Sequence, residues 1–137
     1  MIKKRKLGNT DLFVSEIGLG CYQLGGSSKI NDIPIAFGDM DEKSATNMIN
    51  EAIELGINTF DTADFYSLGK SESRLGNAVK QHRNEIHIFT KAGAVPSNSD
   101  TVFDIDLSYH HLMASMDRSL KRLETDYVDL FQIAEIY

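Results

Sequence analysis

Apolar and polar positions switch period along this chain, from two to about 3.6 and back. Residues 4–7 and 12–16 alternate around Gly8-Asn9-Thr10-Asp11, residues that tolerate positive φ, which predicts a β-hairpin. Residues 17–22 form an apolar run with two glycines, the pattern of a buried strand ending where backbone approaches something closely. Residues 25–39 read as a long loop, with adjacent glycines, serines and Pro34. From Asp41 the period becomes helical. Ala45, Met48, Ile49, Ala52 and Ile53 share one face, and Gly56 stands at the C-cap. Then come a strand over 57–61, a helix over 71–81 capped by Ser71 with Glu72 in its first turn, and a strand over 86–90. A helix over 108–123 follows, capped by Ser108, with Tyr109, Leu112, Met113, Met116, Leu120 and Leu123 on its apolar face. Residues 127–133 are the last strand.

A hairpin followed by strands alternating with helices is an α/β pattern, with a parallel sheet and right-handed crossovers. Periodicity alone leaves an open doubly wound sheet and part of a barrel as alternatives. With 137 residues, 42% of them hydrophobic, and no internal repeat or linker, residues 1–137 are expected to form a single domain. A net charge of -6 argues against nucleic acid or an anionic membrane as partner, and Lys3-Lys4-Arg5-Lys6 reads as a solvated segment. Cys21 is the lone cysteine, so no intramolecular disulfide forms. With neither an apolar leader nor a membrane-spanning run, a cytoplasmic location is expected.

Ligands of β/α folds gather at the C-terminal ends of the parallel strands. Asp61, Tyr66 and Lys91 fall there, from different segments. A tyrosine's ordinary pKa is about 10, and a neighbouring ammonium favours its phenolate. An aspartate fixes such a lysine, and the phenol then donates a proton to a carbonyl oxygen as hydride reaches the carbon. On local pattern alone the same residues also read as a turn former, a half-buried loop aromatic and a surface charge.

Residues 6–20, residues 58–76, Thr90-Lys91 and residues 119–130 match, in order and spacing, motifs of the aldo-keto reductases. The chain resembles that family from about Lys6 to Ile133. The resemblance implies an N-terminal hairpin closing the bottom of a partial TIM-type (β/α) barrel with about four parallel strands. It implies NADPH-dependent reduction of a small-molecule aldehyde or ketone. Tyr66 would be the proton donor, Lys91 its electrostatic tuner and Asp61 the partner of Lys91. Gly20, Cys21, Tyr22 and Asp61 would lie near the nicotinamide.

Two departures accompany the resemblance. The family's fourth catalytic residue is a histidine after a Gln-Ile pair, whereas Gln132-Ile133 is followed here by Ala134-Glu135-Ile136-Tyr137. Alanine neither donates nor accepts through its side chain. His82, His87, His110 and His111 are not obvious substitutes, and the last two read as solvated helix-start residues. The second departure is that about four barrel strands are present, without the half that grips the adenosine phosphate in the family. Three expectations compete: a truncated reductase, a homodimer covering the open half-barrel, and a non-catalytic scaffold that keeps the half-barrel for interaction. Cofactor-independent lyase or isomerase chemistry on Tyr66 and Lys91 is a further alternative.

Overall fold

The computed structural model describes residues 2–97 and 102–134. β1 (Lys4–Lys6) and β2 (Phe13–Ser15) form the antiparallel hairpin, with Lys4 opposite Ser15 and Lys6 opposite Phe13. The hairpin is fastened to the rest of the chain by Asn58. Its amide oxygen accepts from Ser15 N–H at 2.6 Å, its amide nitrogen donates to the Phe13 carbonyl at 2.9 Å, and its backbone N–H donates to Ser15 Oγ at 3.1 Å. His87 Nε2 lies 3.1 Å from the same Phe13 carbonyl. Asn58 and His87 sit at the starts of parallel strands, so the hairpin plugs the N-terminal end of the sheet.

β3 (Leu19–Gly20) is only two residues long. After it, β4 (Lys29–Ile30) and β5 (Ile33–Pro34) form a second hairpin inside what the sequence presents as loop. Its turn residues Asn31 and Asp32 both have positive φ, 49° and 64°, the backbone of a two-residue hairpin turn. α1 (Glu42–Glu54) follows, with the Asp41 carboxylate accepting from Ser44 N–H at 2.6 Å as its N-cap. Next are β6 (Thr59–Asp61), α2 (Lys70–Val79) and β7 (His87–Ala92). A third hairpin, β8 (Ala94–Pro96) with β9 (Phe103–Ile105), was also not read from the sequence. α3 (Tyr109–Leu123), capped by Ser108 as expected, leads to β10 (Leu130–Ile133).

Strands β3, β6, β7 and β10 form one sheet in that order, every pair parallel. Each new strand is added on the same side. A doubly wound sheet reverses its strand order part-way, whereas a barrel winds in one direction. The fold is therefore an N-terminal hairpin followed by a four-stranded portion of a (β/α) barrel, with no closed barrel among the described residues.

Burial in β7 alternates residue by residue. Ile88, Thr90 and Ala92 face the helices and are fully buried, while His87, Phe89 and Lys91 lie half-buried on the inner face. The core packs between sheet and helices around Leu24, Ile49, Phe60, Leu75, Ile88 and Leu123. Three charged residues, Asp64, Glu72 and Arg74, are buried beside it. Glu72, fully buried, accepts from Thr90 Oγ1 at 2.6 Å and from Arg122 Nη1 at 3.1 Å, tying the first turn of α2 to β7 and to the end of α3.

α2 begins one residue earlier than the sequence suggests and is not capped by Ser71. Gly69, in the left-handed region at φ 90°, occupies the cap, and no side chain bonds the first turn. Ser71 is fully buried, donating to the Cys21 carbonyl at 2.6 Å and sharing a 3.0 Å hydrogen bond with Thr62 Oγ1. A serine that looks like a cap is here used to join a helix to a strand end. Among the described residues no helix is long and apolar enough to cross a membrane.

Candidate active site

The parallel register brings the strand ends together. Gly20 lies beside Asp61, Asp61 beside Phe89, and Lys91 beside Gln132. Lys91 Nζ donates to Asp61 Oδ2 at 2.6 Å and to the Thr62 carbonyl at 2.8 Å. Gln132 Nε2 donates to the other carboxylate oxygen of Asp61 at 3.1 Å. One carboxylate is thus held from both sides by neighbouring strands. The Lys91 side chain is 18% exposed and that of Asp61 41%, so the pair stands at the rim rather than in the core.

Tyr66 follows β6 and is half-buried. Lys91 Nζ lies 5.0 Å from the centre of its ring, within cation–π range. Tyr22 and Phe65 each meet the Tyr66 ring edge-on at 5.0 Å. The row of rings continues to Phe37 from Tyr22, at 5.7 Å, and to Phe103 from Phe65, at 5.8 Å. The two unforeseen hairpins therefore border the same rim. Immediately after Tyr66, Ser67 and Leu68 adopt left-handed φ values of 48° and 56°, and Gly69 follows at 90°. Two non-glycine residues in that region cost about 1 kcal/mol each or more. Ser67 is buried and donates to the Gly26 carbonyl at 3.1 Å. It fits because Gly25 has no Cβ, which would otherwise stand 2.1 Å from Ser67 Oγ. Gly69 in turn admits Arg122, whose Cζ would lie 2.3 Å from a Cβ there.

Asp61, Tyr66 and Lys91 are thus brought together. The residues suggested for the nicotinamide are divided. Gly20 is exposed, and a Cβ there would meet no atom of the described residues within 4 Å, leaving open space above the strand end. Tyr22 keeps one ring edge at Tyr66 and donates through its hydroxyl to the Ile35 carbonyl at 2.5 Å. Cys21 is different. Its side chain is buried in the core, where burial first and the Asp61 charge second push its thiol far above the ordinary range, against the opposing influence of Lys91. Its direction follows from strand geometry: after exposed Gly20, the next side chain points the other way.

Sequence reasoning missed Gln132, whose contact with Asp61 spans 71 residues. It also misjudged His111. Rather than solvated, the His111 side chain is 15% exposed, with Nδ1 3.8 Å from Asp106 and Nε2 3.2 Å from Ser115 Oγ. No histidine bonds Asp61, Tyr66 or Lys91 among the described residues. Ala134 adds one more rung to the sheet, its N–H donating to the Ala92 carbonyl at 2.9 Å. Residues 135–137, which complete the departure noted in the sequence, lie outside the described residues.

Asp64, two residues before Tyr66, is 8% exposed, and its Oδ1 has no hydrogen-bond partner among the described residues. Burial raises its pKa and the Glu72 charge adds to this, while Ser115, Arg122 and His111 oppose. The folded chain therefore keeps this proton to a higher pH than the unfolded chain. The associated stability is full below the ordinary carboxylate range and is lost as pH rises through the raised value. Asp64→Asn removes the titration. Its urea midpoint relative to the parent is expected to climb between acid and neutral pH, and a pH-independent difference would contradict this.

A singly wound β/α sheet with an ionisable cluster at its C-terminal rim defines a barrel-type protein whose chemistry sits at the strand ends. Comparison with known proteins makes this specific. Residues 16–137 match the model of the Aldo/keto reductase family. The chain is 39% identical over 132 residues to the uncharacterized oxidoreductase YqkF of Bacillus subtilis, covering 96% of this chain and 39% of that protein. It is 34% identical over 139 residues to the NADH-specific methylglyoxal reductase of Escherichia coli, covering 95% and 41%. The holo form of aldo-keto reductase AKR11C1 from Bacillus halodurans superposes with a TM-score of 0.81 at 38% identity, over 97% of this chain and 40% of that one. The chain belongs to the aldo/keto reductase family, and it spans about two fifths of the length of these relatives.

Proposed function

We propose that this chain carries the acid–base half of a nicotinamide-dependent carbonyl reductase, reducing aldehydes or ketones to alcohols with NADPH. The observation that carries the reading is the Lys91 ammonium, fixed by Asp61 and facing the Tyr66 ring. Residues at the rim fit the nicotinamide end of the cofactor. Gly20 leaves open space there, Asp61 lies beside it on the next strand, and Tyr22 meets the Tyr66 ring. When bound, the cofactor supplies the hydride. The proton comes from the chain: Tyr66 Oη gives its proton to the carbonyl oxygen, and the Lys91 charge stabilises the phenolate left behind. Asp61 and Gln132 keep Lys91 at that ring. A cytoplasmic location belongs to the same reading, supported by a lone cysteine packed in the core.

The same reading has two copies of the chain covering the open sheet. β3 and β10 end it without a further strand among the described residues, and Leu130 and Ile133 on β10 are 37% and 60% exposed. A second reading, a half-barrel kept as a scaffold without turnover, draws on Ala134, which offers no polar side chain beside Gln132-Ile133.

Titration of the folded 137-residue chain with NADPH and with NADH, followed by nicotinamide fluorescence, tests the first reading. Saturable binding, tighter for NADPH, is expected, accompanied by dimers in light scattering. A folded chain that binds neither nucleotide would overturn the reductase reading for this chain and leave the scaffold.

A further inference from the structure

Arginines in this chain are placed against carboxylates, with one exception. Arg5 faces Glu16, Arg74 faces Glu42, Arg83 faces Asp129 and Arg122 faces Glu72. Arg118 has no carboxylate among the described residues; its Nη2 donates to Ser115 Oγ at 2.7 Å. Arg118 also borders a cavity of about 170 Å³ between the β8–β9 hairpin, α3 and the segment after β6. Arg122 and His111 line the same cavity, with Asp64, Phe65 and Leu68.

The acids nearby do not neutralise it. Glu72 is occupied by Thr90 and Arg122. Asp106 faces His111 at 3.8 Å, and burial raises the pKa of Asp64, which also lines the cavity. Two guanidinium groups thus border one cavity, Arg118 with only its Nη2 engaged and Arg122 with only its Nη1, beside an imidazole whose nitrogens face Asp106 and Ser115. Planar guanidinium forks match tetrahedral oxyanions, and hydrogen bonds to a charged partner are stronger than neutral ones. A serine–histidine–aspartate hydrolase centre is not an alternative. Ser115 is fully buried, and its oxygen already accepts from Arg118.

We propose that this cavity is a binding site for a tetrahedral oxyanion, inorganic phosphate or the phosphoryl group of a small phosphomonoester, held by Arg118 with Arg122. The site is distinct from the Asp61–Lys91 pair but adjoins it. Phe65 lines the cavity, and its ring meets Tyr66 at 5.0 Å. Occupancy is therefore positioned to bias the segment that carries Tyr66. Binding needs no cofactor and no turnover, so it stands or falls apart from the reductase reading.

The test is titration of the 137-residue chain with inorganic phosphate and with phenyl phosphate at constant ionic strength, read by backbone amide shifts. Saturable shifts on α3 and at residues 64–68 are expected. Arg118→Gln should weaken binding about tenfold or more, the worth of one hydrogen bond to a charged group. Lys121→Gln, on the same helix but away from the cavity, should leave it unchanged. Arg118 is exposed, so its variant is expected to fold, and an unchanged urea midpoint checks that. Tighter inorganic phosphate assigns the free anion, and tighter phenyl phosphate assigns a monoester. Shifts that never saturate, or an Arg118→Gln chain that binds like the parent, would overturn the site.

Discussion

Tyr66→Phe is expected to lower carbonyl turnover by at least about a hundredfold, the usual worth of a positioned general acid, while NADPH affinity stays within twofold, on the order of 0.4 kcal/mol. The substitution removes one oxygen and little else. The ring contacts with Tyr22, Phe65 and Lys91 are made by ring faces and edges. The hydroxyl itself makes no hydrogen bond among the described residues, so its loss breaks no structural contact. Stability should therefore be unchanged, which separates a chemical defect from a folding defect. Steady-state rates and fluorescence titration on the same preparation check both halves. Turnover equal to the parent's would remove Tyr66 as the proton donor, and with it the role given to Lys91.

The largest effect on stability is expected at Gly76, inside α2. A Cβ there would stand 2.6 Å from Cα, C and O of Leu123, at the end of α3. All three are backbone atoms of a residue that is only 2% exposed, so no flexible side chain is available to move aside. Alanine is favoured over glycine in a helix by about 1 kcal/mol, which acts in the opposite direction. Overpacking of a rigid contact costs roughly 1–3 kcal/mol and more when backbone must shift, so the clash outweighs the helical gain. Gly76→Ala should thus destabilise the chain by about 2 kcal/mol, a fall in Tm on the order of 7 °C for a domain of this size. Gly20→Ala is the control. With no atom of the described residues within 4 Å of the added carbon, it should stay within about 0.5 kcal/mol of the parent. Thermal unfolding of both variants by circular dichroism decides the matter, and equal melting would mean that α2 and α3 are not in close contact at Gly76.

The helices read from sequence were those long enough to show a period, and the strands read were those set in an apolar or alternating stretch longer than the strand itself. α1 and α3 each carry three or more turns of apolar spacing, and the hairpin at the N-terminus has paired flanks around a turn. The β4–β5 hairpin lies in a stretch rich in glycine, serine and proline whose composition reads as loop, and β8–β9 pairs segments with no alternating run around them. The first of them rests on the backbone of Asn31 and Asp32 rather than on any hydrophobic pattern. Strand order was illegible for a different reason. The same β/α alternation serves both barrels and doubly wound sheets, and only pairing between distant strands separates them.

The meeting of Asp61 with Lys91 was accessible because both residues end neighbouring parallel strands. The amide of Gln132 was not, since its reach to Asp61 depends on the register of β10 on β7. Ser71 shows how a local rule is overridden. Serine before an acidic residue is good cap chemistry, yet its hydroxyl is consumed by Cys21 and Thr62. Cys21 shows the same from the other side: a position after a strand end reads as rim, while its side chain belongs to the core.

The left-handed turn after Tyr66 has a consequence for how this region tolerates change. Its shape is not written in residues 66–69 alone. Gly25 makes room for Ser67, the Gly26 carbonyl receives it, and Arg122 lies against Gly69. Three stretches, far apart in the chain, are thereby bound into one mutational unit. A substitution in any of them is judged by the other two, and the phenol's position drifts or holds only as the set does. Divergence at this rim should proceed by coordinated replacement, so that the residues nearest the chemistry vary as a block rather than one at a time.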